Sequence, residues 1–100
     1  MTSKPSYRVS LAEELLEQIR TKTKRERRAI GEAMNRVLEA WGQPHVHAGV
    51  GIRRLTKTIY ECRVGLDDRL AFVVLVTPQE LVFFFLGNHD EIQKLIRGKK

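Results

Sequence analysis

The sequence predicts a small α+β domain, and three observations support this fold class. Two stretches in the first half, residues 11–20 and 30–41, repeat apolar residues at helical spacing, whereas residues 59–86 form three mainly apolar runs separated by turn residues. The chain has 100 residues, 42% of them hydrophobic, which suits one core. We therefore expect a single domain over residues 1–100, with an antiparallel sheet packed against an N-terminal helical hairpin.

The first predicted elements are a short strand and a helix. Residues 6–10 alternate weakly between polar and apolar side chains, which indicates a short N-terminal strand. Ser10 followed three residues later by Glu13 is a capping box, so we expect the first helix to begin at Leu11. Its apolar residues at helical spacing form one stripe that must be buried against another layer.

The second helix should follow a break near residues 21–23 and end at Gly42 and Pro44. Two amphipathic helices joined by a short turn form a hairpin, whose apolar face needs a partner layer. The apolar positions of this second helix are Ile30, Met34, Val37, Leu38 and Trp41.

Residues 43–58 are predicted to form a loop that leads into the sheet. His45 and His47 form a His-x-His pair of the kind that binds metal, but the sequence offers no cluster of further ligands, so we expect no metal site and no cofactor. The same segment contains a basic trio that leads directly into the next predicted strand: Arg53, Arg54 and Lys57.

A three-stranded antiparallel meander and a short helix should complete the domain. Ile59 to Val64 alternates, which places Tyr60, Cys62 and Val64 toward the helices and Ile59, Glu61 and Arg63 on the opposite face. Short turns then lead to strands over residues 70–76 and 81–86, with Arg69 opening the first of these. Asn88 and Glu91 form a capping box for the last helix.

The formal charge of +6 is concentrated in residues 20–28, which contain only one acid, Glu26. Such a run attracts a polyanion, although an acidic protein or solvent alone would also satisfy it. The only cysteine, Cys62, rules out an internal disulfide and is expected to be a buried, inert thiol. The sequence shows no membrane span or secretion signal, so we expect a cytoplasmic protein.

The element order, the basic charge and a few particular residues resemble the RelE/ParE superfamily of bacterial toxins from toxin-antitoxin systems. The residues that carry the resemblance are Tyr60 to Gly65, Arg69, and the segment from Gly87 to Glu91. The resemblance implies a RelE-like fold and a cognate antitoxin that wraps the toxin, with operator DNA contacted only through that complex. RelE-like members are metal-independent ribonucleases that cut messenger RNA in the ribosomal A site, whereas ParE-like members act on DNA gyrase. For an RNA substrate, the candidate contacts are the basic residues Arg53, Arg54, Lys57, Arg25 and Arg28.

The ribonuclease hypothesis assigns roles to four residues. Metal-free cleavage needs a proton acceptor for the attacking 2′-hydroxyl, a proton donor for the leaving oxygen, and cations for the phosphate charge. Arg69 resembles the phosphate-clamping arginine of the family, and Arg63 is a candidate second clamp. His89 is the candidate general acid or base. Glu61 is either a base or the structural ion-pair partner of Arg63.

Two departures from the family pattern keep other functions open. Gln93 and its apolar neighbours stand where many RelE-like members place a tyrosine, and Glu61 and Arg63 stand where the best-known members have paired lysines. The alternatives are a ParE-like gyrase inhibitor and a catalytically inactive module that has kept only antitoxin binding and regulation.

Overall fold

The fold is a five-stranded sheet with a helical hairpin on one face and a short C-terminal helix. The computed structural model describes residues 7–41, 43 and 47–98. The strands are β1 (Arg8–Leu11), β2 (Arg53–Arg54), β3 (Ile59–Val64), β4 (Asp68–Val76) and β5 (Gln79–Gly87). The helices are α1 (Glu13–Arg20), α2 (Lys24–Ala40) and α3 (His89–Arg97), with a 3-10 turn at Ala48–Val50. The α+β class, the hairpin, the meander and the final helix are confirmed.

The sheet has the order β1-β5-β4-β3-β2 and is mixed. The predicted meander of β3, β4 and β5 is antiparallel, but β1 pairs in parallel with β5, so that Arg8 lies opposite Glu80 and Leu11 opposite Phe83. The predicted loop over residues 43–58 also contains a strand, because Arg53 and Arg54 pair with β3. A strand of two residues is too short to show the alternation of polar and apolar side chains that predicts a strand from sequence.

The start of the first helix was predicted wrongly. Ser10 and Leu11 belong to β1, and α1 begins at Glu13 with Ala12 as an N-cap that makes no side-chain hydrogen bond. Pairing with β5 outweighs the capping box because it satisfies backbone groups over four residues, and the Ala12 amide continues this pairing by donating to the Phe83 carbonyl oxygen at 2.9 Å.

The second helix follows its prediction more closely. The break at residues 21–23 is confirmed, and Thr23 caps α2 in a reciprocal capping box with Glu26 that the sequence analysis overlooked. Backbone and side-chain hydrogen bonds with Thr23 lower the pKa of the exposed Glu26 carboxyl. The predicted stop signals Gly42 and Pro44 lie outside the described residues.

The core lies between the hairpin and one face of the sheet. α1 packs on β5 and α2 on β3. Alternate residues of β3 and β4 point toward the helices, as do Leu81, Phe83 and, beyond the bulge, Leu86 of β5. Phe72 and Phe83 are fully buried there. The predicted apolar face of α2 is largely confirmed, but Leu38 is 37% exposed. The other members of the core are Leu15, Ile30, Ala33, Val37, Ala40, Ile52, Cys62, Val64, Leu70, Leu81 and Leu86.

Gln18 on α1 extends the hydrogen bonding of the sheet beyond the end of β1. Its side-chain Nε2 donates to the Leu86 carbonyl oxygen at 2.7 Å, and its Oε1 accepts from the Leu86 amide at 2.9 Å. β1 ends opposite Phe83, so a side-chain amide takes the place that a longer strand would occupy along β5. This contact fixes the last turn of α1 against the end of β5 that leads into α3.

We expect Gln18→Ala to lower the free energy of unfolding by about 1–2 kcal/mol, because the part-buried amide and carbonyl of Leu86 lose their partner. The measurement is denaturant unfolding followed by circular dichroism. Glu17→Ala is the matched control, since the exposed Glu17 side chain pairs with exposed Arg20 of the same helix, and its loss should change stability by less than about 0.5 kcal/mol. Equal unfolding midpoints for both variants would contradict the role assigned to Gln18.

Candidate functional site

The predicted site residues Glu61, Arg63 and Arg69 lie on the sheet face opposite the helical hairpin, near the β3–β4 turn. Arg63 is paired directly with Arg69, and Arg69 with Gly87 on β5. The next row on the same face pairs Arg53 with Glu61 and Glu61 with Ala71. Antiparallel pairing therefore brings together residues from four strands, of which β3, β4 and β5 form the predicted meander.

Glu61 is the centre of this cluster and is only 2% exposed. Its Oε2 atom lies 3.2 Å from His89 Nδ1 and 3.7 Å from Arg69 Nε, and its Oε1 atom lies 3.3 Å from the same imidazole nitrogen. A buried carboxylate is stable only when charged or hydrogen-bonding partners replace water. The contacts of Glu61 therefore hold β3, β4 and the start of α3 together.

The suggested ion pair between Glu61 and Arg63 does not form. Although the two side chains share a strand face, the carboxylate turns toward Arg69 and His89, and Arg63 remains exposed. Arg63 consequently faces Arg69 across the strand pair without a carboxylate of its own among the described residues. Like charges directly opposite each other destabilise a sheet, so this pair favours a bound anion.

His89 is the first residue of α3, and the capping box of Asn88 and Glu91 is confirmed. The Asn88 side chain accepts from the Glu91 amide at 2.8 Å, while Glu91 Oε1 accepts from the Asn88 amide at 2.8 Å. Gly87 permits this sharp entry, because a Cβ there would lie 2.8 Å from the Phe85 ring and 2.9 Å from Glu91 Oε1. The imidazole of His89 is 41% exposed and can meet a ligand.

The contact with Glu61 selects a tautomer for His89. In a neutral imidazole one ring nitrogen donates and the other accepts, and Nδ1 faces a carboxylate, which only accepts when ionised. Nδ1 therefore carries the proton, which leaves the lone pair of Nε2 available to a substrate. When protonated, the same ring donates from Nε2.

A cavity of about 210 Å³ opens beside this cluster. It is lined by Gly51, Ile52, Arg53, Glu61, Arg63 and Arg69. Three arginines against one glutamate give the lining of the cavity an excess of positive charge, and the planar arginine fork has the geometry to bind phosphate oxygens. Gly51 and Ile52 were not among the predicted site residues, because their position at this cavity depends on the path of the connection before β2.

The other predicted RNA contacts fall in different places. Arg53 lines the cavity, whereas Arg54 stabilises its own turn by donating to the carbonyl oxygens of Thr56 and Lys57 at 3.0 and 3.3 Å. Lys57 is exposed but is not among the cavity residues, and the exposed α2 residues Arg25 and Arg28 are also outside it. Their RNA contacts remain predictions.

Of the His45 and His47 pair named as possible metal ligands, His45 lies outside the described residues. His47 stacks on Trp41 with ring centroids 5.0 Å apart. Within residues 7–41, 43 and 47–98, no group of three or more His, Cys, Asp or Glu side chains is arranged to hold a metal ion. In the same part of the chain, no helix is long and apolar enough to cross a membrane.

Comparisons with known proteins identify the fold. No protein-family model and no curated protein matches the sequence. A free mutant form of E. coli toxin RelE is similar with a TM-score of 0.69 and 16% identity, covering 95% of this chain and 99% of that one.

Two toxin-antitoxin complexes are similar as well. The archaeal RelE–RelB complex from Pyrococcus horikoshii OT3 has a TM-score of 0.62 and 17% identity, covering 83% of this chain and 94% of that one. The intact E. coli RelBE complex has a TM-score of 0.64 and 19% identity, covering 82% and 95% respectively. The chain therefore has the RelE toxin fold, as the sequence resemblance implied.

Cys62 should resist thiol reagents in the folded protein. Its side chain is 1% exposed and points to the core, and burial raises the pKa of the thiol to about 12. Because the raised pKa leaves almost no thiolate at pH 8, we expect 5,5′-dithiobis(2-nitrobenzoate) to label the native protein at least a hundredfold more slowly than the protein in guanidinium chloride. Rapid native labelling at pH 8 would show that the strand opens or that the thiol is ionised.

Proposed function

We propose that this protein is the toxin of a toxin-antitoxin system and a metal-independent endoribonuclease that cleaves translated messenger RNA. The observation that carries the proposal is the contact between buried Glu61 and His89, set beside a cavity that also contains Arg69. The RelE fold supports the toxin role. The arrangement of these side chains supports the chemistry.

His89 transfers the proton that starts cleavage. With Nδ1 donating to Glu61, the free Nε2 atom accepts the proton of the 2′-hydroxyl, whose oxygen then attacks the adjacent phosphorus. The bond from phosphorus to the 5′-oxygen breaks, leaving a 2′,3′-cyclic phosphate on one fragment. The 5′-oxygen takes a proton from solvent, which reaches the site because His89 is 41% exposed.

The arginines stabilise the charge that develops on phosphorus oxygens. Arg69 and Arg63 lie directly opposite each other in the sheet, so their guanidinium groups can approach one phosphate from two strands. Arg53 adds a third positive charge at the same cavity. Fixed cations in a partly enclosed site stabilise the transition state without the reorganisation that water requires.

Glu61 orients the base instead of acting as one. At 2% exposure its carboxylate has little surface that a 2′-hydroxyl could reach, whereas both of its oxygens lie within 3.3 Å of His89 Nδ1. A carboxylate behind an imidazole fixes the tautomer and stabilises the imidazolium that forms, as in the triad of serine proteases. Glu61 on β3 and His89 on α3 thus form a carboxylate–imidazole pair.

An antitoxin partner accounts for a second feature of the surface. An apolar groove of about 460 Å³ lies on the sheet face opposite the hairpin, between the strands and α3. Its described lining includes Val73, Val82, Phe84, Leu95 and Ile96. Phe84 lies at the β-bulge of β5, where the register with β4 shifts. In this proposal an acidic antitoxin covers the groove, the ribosome presents the messenger RNA, and operator DNA is bound only through the toxin-antitoxin complex in the cytoplasm.

We expect Arg69→Ala and His89→Ala each to abolish growth arrest in bacteria that express the protein without its antitoxin. Expression of the unsubstituted protein should produce new 5′ ends within codons of translated messages. The number of these ends should fall at least a hundredfold in both variants, because phosphate clamping and proton transfer are lost. The measurement is sequencing of 5′ ends after induction.

The matched controls are Lys94→Ala on α3 and Arg8→Ala on β1, which remove exposed positive charges outside the cavity. Both should leave the pattern of new ends unchanged. Unchanged toxicity in Arg69→Ala and His89→Ala would contradict the proposal. Growth arrest without new ends would indicate gyrase inhibition, and absence of arrest with the original sequence would indicate an inactive binding module.

Co-expression with the acidic product of the adjacent gene should yield a stable complex. We expect Leu95→Glu, which places a charge in the apolar groove, to reduce co-purification at least tenfold. Leu66→Glu is the control, since Leu66 is 93% exposed at the β3–β4 turn. Equal recovery of partner with both variants would show that the groove is not the binding surface.

A further inference from the structure

A second cavity, of about 220 Å³, adjoins the cavity that contains Glu61. The two share Gly51 and Arg63, so they are neighbours on the same surface. The second cavity is lined by Arg36, Gly49, Val50, Gly51, Arg63 and Gly65. None of these lining residues is acidic, and two of them carry a permanent positive charge.

We propose that the second cavity binds a backbone phosphate of RNA next to the phosphate that is cleaved, and that Arg36 and Arg63 hold it. This inference rests on the proposed ribonuclease function and adds the path of the substrate to it. An RNA strand that fills both cavities runs from His89 and Arg69, past Arg63, to Arg36 on α2.

Two arginines that have no carboxylate partner in the described part of the chain converge on the second cavity. Arg36 comes from α2 and Arg63 from β3, and the ion pairs of the described residues involve neither of them. Arg63 also faces Arg69 across the strand pair. An anion between these groups would relieve the repulsion, and a phosphate accepts the paired hydrogen bonds that a guanidinium donates.

The connection before β2 forms the wall between the two cavities. Gly51 has a φ of +75°, a conformation that other residues rarely adopt. A Cβ there would lie 2.9 Å from Arg63 Cβ, so the connection before β2 packs its backbone directly against this arginine. The close approach sets the stem of Arg63 between the two cavities, where its guanidinium can contact a phosphate in either one.

The volume of the second cavity also suits a phosphate group. A cavity of about 220 Å³ has room for several water molecules, since each occupies about 30 Å³ in the liquid. A phosphate with its linked oxygens fits that space. The glycines at positions 49, 51 and 65 have no side chains to obstruct it, so the opening admits a continuous strand.

The test measures binding separately from cleavage. The protein carrying His89→Ala is titrated with a nine-nucleotide single-stranded RNA at several salt concentrations, alone and combined with Arg36→Ala, Arg36→Lys or Arg8→Ala. Arg8 is the matched control because it is exposed on β1, at the opposite edge of the sheet from β2. Thermal unfolding by circular dichroism confirms that each variant is folded.

We expect Arg36→Ala to weaken binding roughly tenfold, the effect of losing one charge-assisted hydrogen-bonded contact. The slope of log Kd against log salt concentration should fall by about 0.7, as for one phosphate contact on a single strand. Both changes should be the same for two unrelated RNA sequences, because the contact is to backbone. Arg36→Lys should restore most of the slope.

Equal affinities and slopes for Arg36→Ala and Arg8→Ala would overturn the second phosphate site. That result would leave the proposed ribonuclease intact if induction of the original sequence still creates new 5′ ends in messages. Absence of RNA binding by the His89→Ala protein at low salt would overturn the site. Absence of new 5′ ends with the original sequence would instead overturn the ribonuclease proposal, so the two failures are distinguishable.

Discussion

The buried carboxylate of Glu61 is the constraint on which the site depends. An ionised group at 2% exposure loses most of its hydration, and only close partners compensate for that loss. Its partners come from β4 and from the first turn of α3, so the register of the meander and the start of the helix must both be correct before the carboxylate is satisfied. A single side chain thus couples the geometry of the sheet to the position of His89.

The end of β5 needs support from the other side of the sheet to keep that geometry. Gln18 supplies it, because its amide pairs with both backbone groups of Leu86, three residues before His89. β1 stops too early to pair there. The helical hairpin therefore does more than cover the core, since it also fixes the strand end from which the histidine emerges.

Around Glu61 the sheet contains features that lower the stability of the fold. Arg63 and Arg69 are directly opposite, and Gly51 accepts a left-handed conformation to pack against Arg63. Such local conflicts are expected at functional sites, where the missing counter-charge is supplied by a ligand. In the proposed function that ligand is the RNA backbone, and two adjoining cavities give room for successive phosphates.

The sequence by itself determined the order of the helices and of strands β1, β3, β4 and β5, the apolar faces and the residues of the meander that reach one end of the sheet. Those follow from periodicity and turn chemistry, which are local properties. It did not reveal β2, the parallel pairing of β1, the partners of Glu61, or the cavity that Arg36 lines together with Arg63. These depend on register, on the bulge at Phe84, and on contacts between segments far apart in the chain, which only the packed tertiary structure decides.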